Sequence, residues 1–176
     1  MPLSHILIAC ECQTPHVTEE EVKAAFVSAY NKLVIEKKEI IANAELIRRT
    51  LCDTTSLQEE KRRLESEMAV LVDMVQGCIA ENARIAQDQA EYQKRYDGLV
   101  AKYDAAKDKY DETVAVISAK EAQSARLTAF TKALRERDGI IEDFDESLWG
   151  CMVEHITVGR NKEMTVTFQD GTEIQA

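Results

Sequence analysis

Two runs of apolar heptads between positions 57 and 117 constrain the fold of this chain more than any other feature. In the first run an apolar residue recurs at every seventh position, at Leu57, Leu64, Leu71, Cys78 and Ile85. The second run repeats that spacing with Tyr96, Tyr103, Tyr110 and Ile117. Heptads sustained over this length predict the narrow seam of a coiled coil rather than the wider apolar stripe of an ordinary surface helix.

The segment between the two runs predicts how the helices are joined. Positions 86–91 contain no large apolar residue, so we expect the chain to reverse direction there. A link this short makes neighbouring helices pack antiparallel. A reversal within this segment predicts that Leu71 faces Tyr110 across the seam. The sequence therefore predicts an antiparallel coiled-coil hairpin within one molecule.

The residues that precede the hairpin predict one helix. Thr18 and Glu21 have the spacing of a capping box, and a wide apolar stripe follows as far as Leu51. The polar run 53–56 interrupts the helical pattern, with Ser56 as the cap of the outgoing helix. A turn is the favoured prediction for this interruption, and a kink is the alternative. A strand is predicted before this helix, over residues 4–10.

The C-terminal part changes from helical to strand periodicity. The returning helix is predicted to stop at Asp138, which is followed by glycine, and a short helix is predicted to begin after Asp145. The side chains of residues 155–158 and 164–168 alternate in character, with β-branched residues among them, which predicts a β-hairpin. Residues 172–174 can add a third short strand.

These patterns together predict a mainly α fold, in which a long antiparallel coiled-coil hairpin projects from a small α+β base with a C-terminal β-hairpin. Residues 1–55 are expected to begin the base, residues 56–122 to form the arm, and residues 123–176 to complete the base.

Composition narrows the classes of function. The formal net charge of −10 argues against indiscriminate binding to nucleic acid or to an anionic membrane. The chain has no apolar run long enough to span a membrane, and its start does not read as a signal peptide. Its five cysteines are odd in number, and two of them fall in helical patterns. Free thiols in a reducing cytoplasm are therefore expected.

The sequence predicts no catalysis by this chain. It contains no Gly-rich phosphate loop and no recognisable nucleophile motif. Cys10 and Cys12, with His5 and His16, resemble metal ligands, but the second ligand pair that a structural zinc site needs is missing downstream. Reduced cysteines at a strand end are the expectation for this cluster. An enzyme whose carboxylates converge in a pocket remains an alternative.

One segment has a positive excess: residues 121–137 hold four basic against two acidic residues. Several Lys and Arg residues on one face are typical of phosphate binding. The residues predicted to contact DNA are Arg126, Lys132, Arg135 and Arg137, with Arg160 and Lys162 at the β-hairpin turn. The alternative is a solvated helix end, where cations favour the negative terminus of the helix dipole.

The tip of the predicted hairpin is the second candidate site. Ile85 and Tyr92 lie at a free end with little to cover them, and exposed apolar residues at such a position favour a protein partner. A second copy of the same tip is the simplest partner.

Four segments of the chain resemble the large serine recombinases. The sequence CQTPHVTEEEV at 12–22 resembles the place where the zinc ribbon of that family gives way to a helix. DQAEY at 88–92 resembles the tip of its coiled coil. FDESLW at 144–149 and VTFQDGTEI at 166–174 resemble its closing helix and hairpin.

The resemblance implies the C-terminal, non-catalytic region of a site-specific recombinase of mobile elements such as conjugative transposons, which integrates and excises DNA. The family's serine nucleophile belongs to an N-terminal domain that this chain lacks. The implied partners are attachment-site DNA and other recombinase subunits, reached through the coiled-coil tips, in the cytoplasm. Cys12 matches the last zinc ligand, whose partner cysteines would precede residue 1, so zinc is implied for the intact family domain only. The alternative reading is a coiled-coil scaffolding protein without a DNA role.

Overall fold

The computed structural model describes residues 15–86, 88–137 and 139–176. Its elements in chain order are α1 (Glu19–Ile35), α2 (Lys37–Leu51), α3 (Thr55–Arg84), α4 (Gln89–Glu136), α5 (Glu146–Met152), β1 (Val153–Val158), β2 (Met164–Phe168) and β3 (Glu173–Gln175). The fold is mainly α with one small antiparallel sheet, which confirms the predicted class. The strand predicted over 4–10 lies outside the described residues.

The chain divides into two compact units. We call residues Ile47–Ala125 the hairpin unit, and the described residues before and after it the terminal unit. Helices α2 and α4 each continue from one unit into the other.

Helix α1 begins as the sequence predicts but ends earlier. The Glu21 backbone N–H donates to the Thr18 hydroxyl at 3.2 Å, and the Thr18 backbone N–H donates to the Glu21 carboxylate at 2.7 Å, so the capping box is confirmed. The single helix predicted as far as Leu51 is wrong, because Glu36 interrupts it and α2 follows. The β-branched pair Val34 and Ile35 lowers the helix propensity immediately before this break.

The core of the terminal unit lies between α1, the C-terminal turns of α4, α5 and the sheet. Its aromatic centre is Phe26, whose ring centroid lies 5.7 Å from Phe144 and 5.4 Å from Trp149, both edge-on. Other fully buried side chains include Tyr30, Leu33, Leu127, Phe130, Leu134, Met152, Val166 and Phe168. Burial of this apolar area supplies the main stabilisation of the unit.

The predicted β-hairpin is confirmed, and so is its third strand. The strand order is β1-β2-β3, with Ile156 opposite Val166 and Val166 opposite Ile174. An irregularity in β1 lies between Val153 and His155. Alternate residues of β2 point to the same face of the sheet, and that face is buried against α1. Three paired strands that pack on a helix are enough to form a stable sheet.

The start of α3 differs from the prediction in its capping residue. The turn before α3 is confirmed, but Ser56 lies inside the helix and does not cap it. Instead an Asp53 carboxylate oxygen accepts from the backbone N–H of Thr55 at 2.9 Å and from its hydroxyl at 2.6 Å. An Asp side chain that binds the backbone two residues later forms a local turn. The hydrogen bond from the Thr55 hydroxyl, followed by that from the Thr55 backbone N–H, lowers the pKa of the Asp53 carboxylate.

Helices α3 and α4 pack as an antiparallel pair along their apolar seams. Arg95 pairs with Glu81 at 2.7 Å, and the Tyr110 hydroxyl donates to Glu65 at 3.2 Å, so residue numbers fall on one helix as they rise on the other. The buried seam cluster contains Leu71, Cys78, Leu99 and Ala106, with Met68, Val75, Tyr92, Tyr96 and Tyr103 packed against it.

The facing predicted for Leu71 and Tyr110 is wrong. Leu71 clusters with Ala106, whereas Tyr110 lies at the level of Glu65. The cause is Asp88, whose carboxylate accepts from the backbone N–H of Ala90 at 2.7 Å and of Glu91 at 3.2 Å. Because this cap makes the residues from Gln89 onward helical, the link between the helices lies at the start of the predicted segment and is shorter than predicted. The observed pairing of the two helices differs from the predicted pairing by about one turn.

Candidate functional site

Four of the six predicted DNA-contacting residues are paired with carboxylates of the terminal unit. Arg135 pairs with Glu45, and Arg137 pairs with Asp145. The other two pairs are Lys162 with Glu21 at 3.1 Å and Lys132 with Glu136 at 3.8 Å. Exposed pairs of this kind contribute roughly 0–1 kcal/mol, so each can exchange its partner for a phosphate.

Arg126 and Arg160 differ from the other four cations. Both are exposed, and no carboxylate of the described residues lies within ion-pair distance of either guanidinium. They are the predicted residues whose charge is available without breaking an existing pair.

The six cations do not share one face. On α4, Arg126 and Arg135 are nine positions apart, which turns their side chains to roughly opposite sides of the helix. Lys132 and Arg135 lie about one turn apart on the same side. Arg160 and Lys162 belong to the loop between β1 and β2, where Lys162 has φ 65°. The cations of the predicted basic segment therefore do not all lie on one face of α4, and the second basic spot predicted at the β-hairpin turn is part of the loop between β1 and β2.

Arg137 has a structural role that the sequence did not indicate. It pairs with Asp145, whose carboxylate accepts from the backbone N–H of Leu148 at 3.0 Å and caps α5. That backbone hydrogen bond and the nearby guanidinium lower the pKa of Asp145. The Arg137 carbonyl also accepts from the Lys37 ammonium at 2.7 Å. Arg137 thus joins the end of α4 to the start of α5.

The two predicted tip residues differ in exposure. Ile85 is 60% exposed and follows the last turn of α3. Tyr92 is half-buried and packs against the seam cluster, with its ring centroid 6.1 Å from that of Tyr96. Of these two residues, Ile85 alone presents an open apolar side chain.

Helix α3 exposes large apolar side chains on two further sides, which the heptad pattern did not predict. Val70, Val72, Met74 and Ile79 are 57%, 40%, 50% and 47% exposed. Between positions 69 and 80 the only charged residue is Asp73. Helices that are apolar on every side are normally buried on every side. The signal was present in the sequence, but the heptad pattern accounted for only one of these sides.

The exposed apolar surface includes a groove beside the seam. It has a volume of about 290 Å³ and is lined by Val72, Val75, Gln76, Val100 and Tyr103. The opposite edge of the helix pair carries the ion pair between Glu81 and Arg95. Val70 and Met74 lie on the side of α3 that also carries Glu81, so both edges of the helix pair expose apolar side chains.

The terminal unit has a larger groove, and the ammonium group of Lys23 is part of its lining. Trp149, Phe144 and Val22 line it together with Glu19 and Glu146. The Lys23 ammonium lies 2.6 Å from Glu19 and 5.6 Å from the Phe144 ring centroid, within cation–π range.

Three cysteines lie in the described part of the chain. Cys52 and Cys78 are buried free thiols. Cys151 is also free and half-buried, and desolvation raises its pKa. The described part of the chain holds no cluster of three or more His, Cys, Asp or Glu residues suited to a metal ion. Cys12, the zinc ligand implied by the resemblance, lies outside the described residues.

Among the described residues, no helix combines the length and apolar character that crossing a membrane requires. Comparisons of the chain with protein-family models, with curated proteins and with solved structures gave no match.

Proposed function

We propose that this chain is the non-catalytic C-terminal region of a serine site-specific DNA recombinase and acts in the cytoplasm. The helical hairpin contacts other subunits, and the terminal unit supports binding to attachment-site DNA. The observation that carries the proposal is the order of the four segments that resemble that family. They correspond to the start of α1, the link between α3 and α4, α5, and the β2–β3 hairpin.

Arg126 and Arg160 are the proposed phosphate contacts. Their exposure and lack of carboxylate partners among the described residues support this assignment. Arg135, Lys132 and Lys162 contribute if DNA displaces their carboxylates. Zinc belongs to the intact recombinase in this proposal, with Cys12 as one of its ligands.

Fluorescence anisotropy with a labelled DNA duplex of mixed sequence tests the DNA contact. We expect binding that weakens as salt rises, since each phosphate contact releases counterions. The variant Arg126→Ala with Arg160→Ala should lower the slope of log K against log salt by roughly 2, about 0.9 for each contact.

Arg48→Ala with Arg49→Ala is the matched control. Both arginines are exposed on α2, so this variant loses the same charge at positions without a predicted contact. It should keep the salt slope of the parent. Equal losses in the two variants contradict the assignment of Arg126 and Arg160. Absence of binding at low salt contradicts the DNA role itself.

A coiled-coil scaffolding protein without a DNA role is the second candidate. The net charge of −10 and the pairing of four predicted cations favour it. The coding sequence immediately upstream distinguishes the two candidates independently of binding. The recombinase proposal expects a resolvase-like domain with a serine nucleophile in the same reading frame, and an unrelated sequence there would contradict it.

A further inference from the structure

Two adjoining grooves of the terminal unit share the ring of Phe144 and the side chain of Lys23. Their volumes are about 540 Å³ and about 370 Å³, and we call the two together the Phe144 groove. Trp149 lines the first of them, with its ring centroid 5.8 Å from that of Phe144. Both rings are half-buried, so part of each is open to a ligand.

Carboxylates line both parts of the Phe144 groove. They are Glu19 and Glu146 in the first part, and Glu20, Glu142 and Asp143 in the second. Lys23 is the only cation among the lining residues, so five carboxylates face one ammonium group and leave an excess of four negative charges. No Lys or Arg of the described residues lies within ion-pair distance of Glu142, Asp143 or Glu146.

The Lys23 ammonium already makes the contacts that a bound cation would make in this groove. It lies 2.6 Å from a carboxylate oxygen of Glu19, 3.5 Å from one of Glu20, and 5.6 Å from the Phe144 ring centroid. The ring quadrupole and the carboxylates both attract a cation at these distances. The aromatic ring and the carboxylates are therefore placed to hold a positively charged group.

We propose that the Phe144 groove binds an arginine-rich segment of a partner protein. The carboxylates are spread over two grooves, and the described residues hold no cluster of three or more His, Cys, Asp or Glu suited to a metal ion, so an extended organic cation fits them better. A guanidinium group is planar, weakly hydrated and able to stack on aromatic rings, so arginine suits Phe144 and Trp149 better than lysine does. DNA and anionic membranes carry the wrong charge for this surface.

This inference does not rest on the recombinase proposal, because it uses only the geometry and charge of the terminal unit. It gives that unit a protein partner on a surface of opposite charge to the proposed phosphate contacts. Arg126 and Arg160 do not line the Phe144 groove, so the two contacts can be tested separately.

Titration of the full chain with a tetra-arginine peptide whose termini are blocked tests the proposal. Trp149 is the only tryptophan and lines the groove, so its fluorescence should change on binding, and isothermal titration calorimetry measures the same dissociation constant without that signal. We expect one saturable site whose affinity falls as salt rises. Tetralysine and spermine carry the same charge but no guanidinium group, and each should bind at least about threefold more weakly.

Neutralising the unpaired carboxylates should weaken binding. Glu142→Gln with Asp143→Asn and Glu146→Gln should raise the dissociation constant by about tenfold, since three exposed ion pairs are lost. The matched control is Glu39→Gln with Glu154→Gln and Glu173→Gln, which removes three exposed carboxylates of the same unit outside the groove. This control should change the dissociation constant by less than about twofold.

Removal of Lys23 should have the opposite effect, because its ammonium competes with the peptide for Phe144, Glu19 and Glu20. Lys23→Met should lower the dissociation constant for tetra-arginine by about threefold or more. Lys38→Met is the matched control: Lys38 is exposed on α2 and does not line the groove, so this variant loses the same charge without freeing the ring.

Each result supports or overturns the inference. Absence of tetra-arginine binding at low salt in both measurements overturns it. Equal losses in the groove variant and its control overturn the site, and so does Lys23→Met that binds no more tightly than Lys38→Met. Tetralysine or spermine binding as tightly as tetra-arginine overturns the choice of an arginine-rich segment. Circular dichroism confirms that each variant keeps its helices. Peptide binding by a chain that does not bind DNA supports this inference while contradicting the DNA role.

Discussion

At the scale of single residues, carboxylates that bind backbone N–H groups decide where the elements begin. Asp53 forms the turn before α3, Asp88 starts α4 and Asp145 starts α5. Each satisfies donors that the first turn of a helix leaves without a partner. Asp145 was predicted as a cap from sequence. The role of Asp53 was missed because Ser56 also precedes an apolar run at capping distance.

Removal of the α5 cap is expected to destabilise the terminal unit. Asp145→Ala should lower the free energy of unfolding by about 1 kcal/mol, since the Leu148 N–H loses its acceptor. Asp145→Asn keeps an acceptor and should lose less. Urea denaturation followed by fluorescence of Trp149, the only tryptophan, measures both. An alanine variant as stable as the parent would show that this hydrogen bond contributes nothing.

The pKa of Asp145 predicts the sign of a pH effect. Its folded-state pKa is lowered, first by the Leu148 backbone hydrogen bond and then by Arg137. The stabilisation is therefore fully present above the unfolded-state pKa of about 3.9, and it is lost as pH falls through the folded-state pKa. Asp145→Asn should show a smaller loss of stability in this acid range. Identical acid profiles for parent and variant would contradict the assignment.

At the scale of elements, the heptads predicted two helices and their antiparallel packing, but not their register. A heptad seam offers similar apolar contacts after a slide of about one turn, so the seam alone does not distinguish such registers. The length of the link decides between them, and Asp88 shortens that link by capping α4.

Truncation in the seam should therefore cost stability at positions that the observed register buries. Leu71 is 6% exposed, and Leu71→Ala should lower the free energy of unfolding by about 2–4 kcal/mol through lost burial and a cavity. Val70 is its exposed neighbour, and Val70→Ala should change stability by less than about 0.5 kcal/mol. Thermal denaturation followed by circular dichroism measures both variants. Equal effects would contradict the packing of Leu71.

Substitution of Asp88 tests whether its cap sets the register of α3 and α4. Asp88→Ala should fray the first turn of α4, because the N–H groups of Ala90 and Glu91 lose their acceptor. Amide hydrogen exchange should become faster at those two positions, while the amides around Leu99 keep their protection. Unchanged exchange at the tip would mean that Asp88 does not hold the link.

At the scale of the whole molecule, the distribution of charge matters more than its total. The net charge of −10 predicts weak indiscriminate binding to DNA, yet two arginines of the terminal unit have no carboxylate partner among the described residues. Glu21 belongs both to the capping box of α1 and to the pair with Lys162, although these residues lie 141 positions apart. Such long-range pairs cannot be read from local composition.

The sequence by itself determined the type of most elements, because hydrophobic period and capping chemistry act over only a few residues. The coiled-coil helices, the capping box at Thr18, the α5 cap and the β-hairpin all follow from such local patterns. Only the tertiary structure decided the seam register, the pairing of four predicted DNA contacts with carboxylates, and the exposure of Val72 and Ile79. These features depend on which surfaces meet across long separations in the chain, and a local pattern does not specify that.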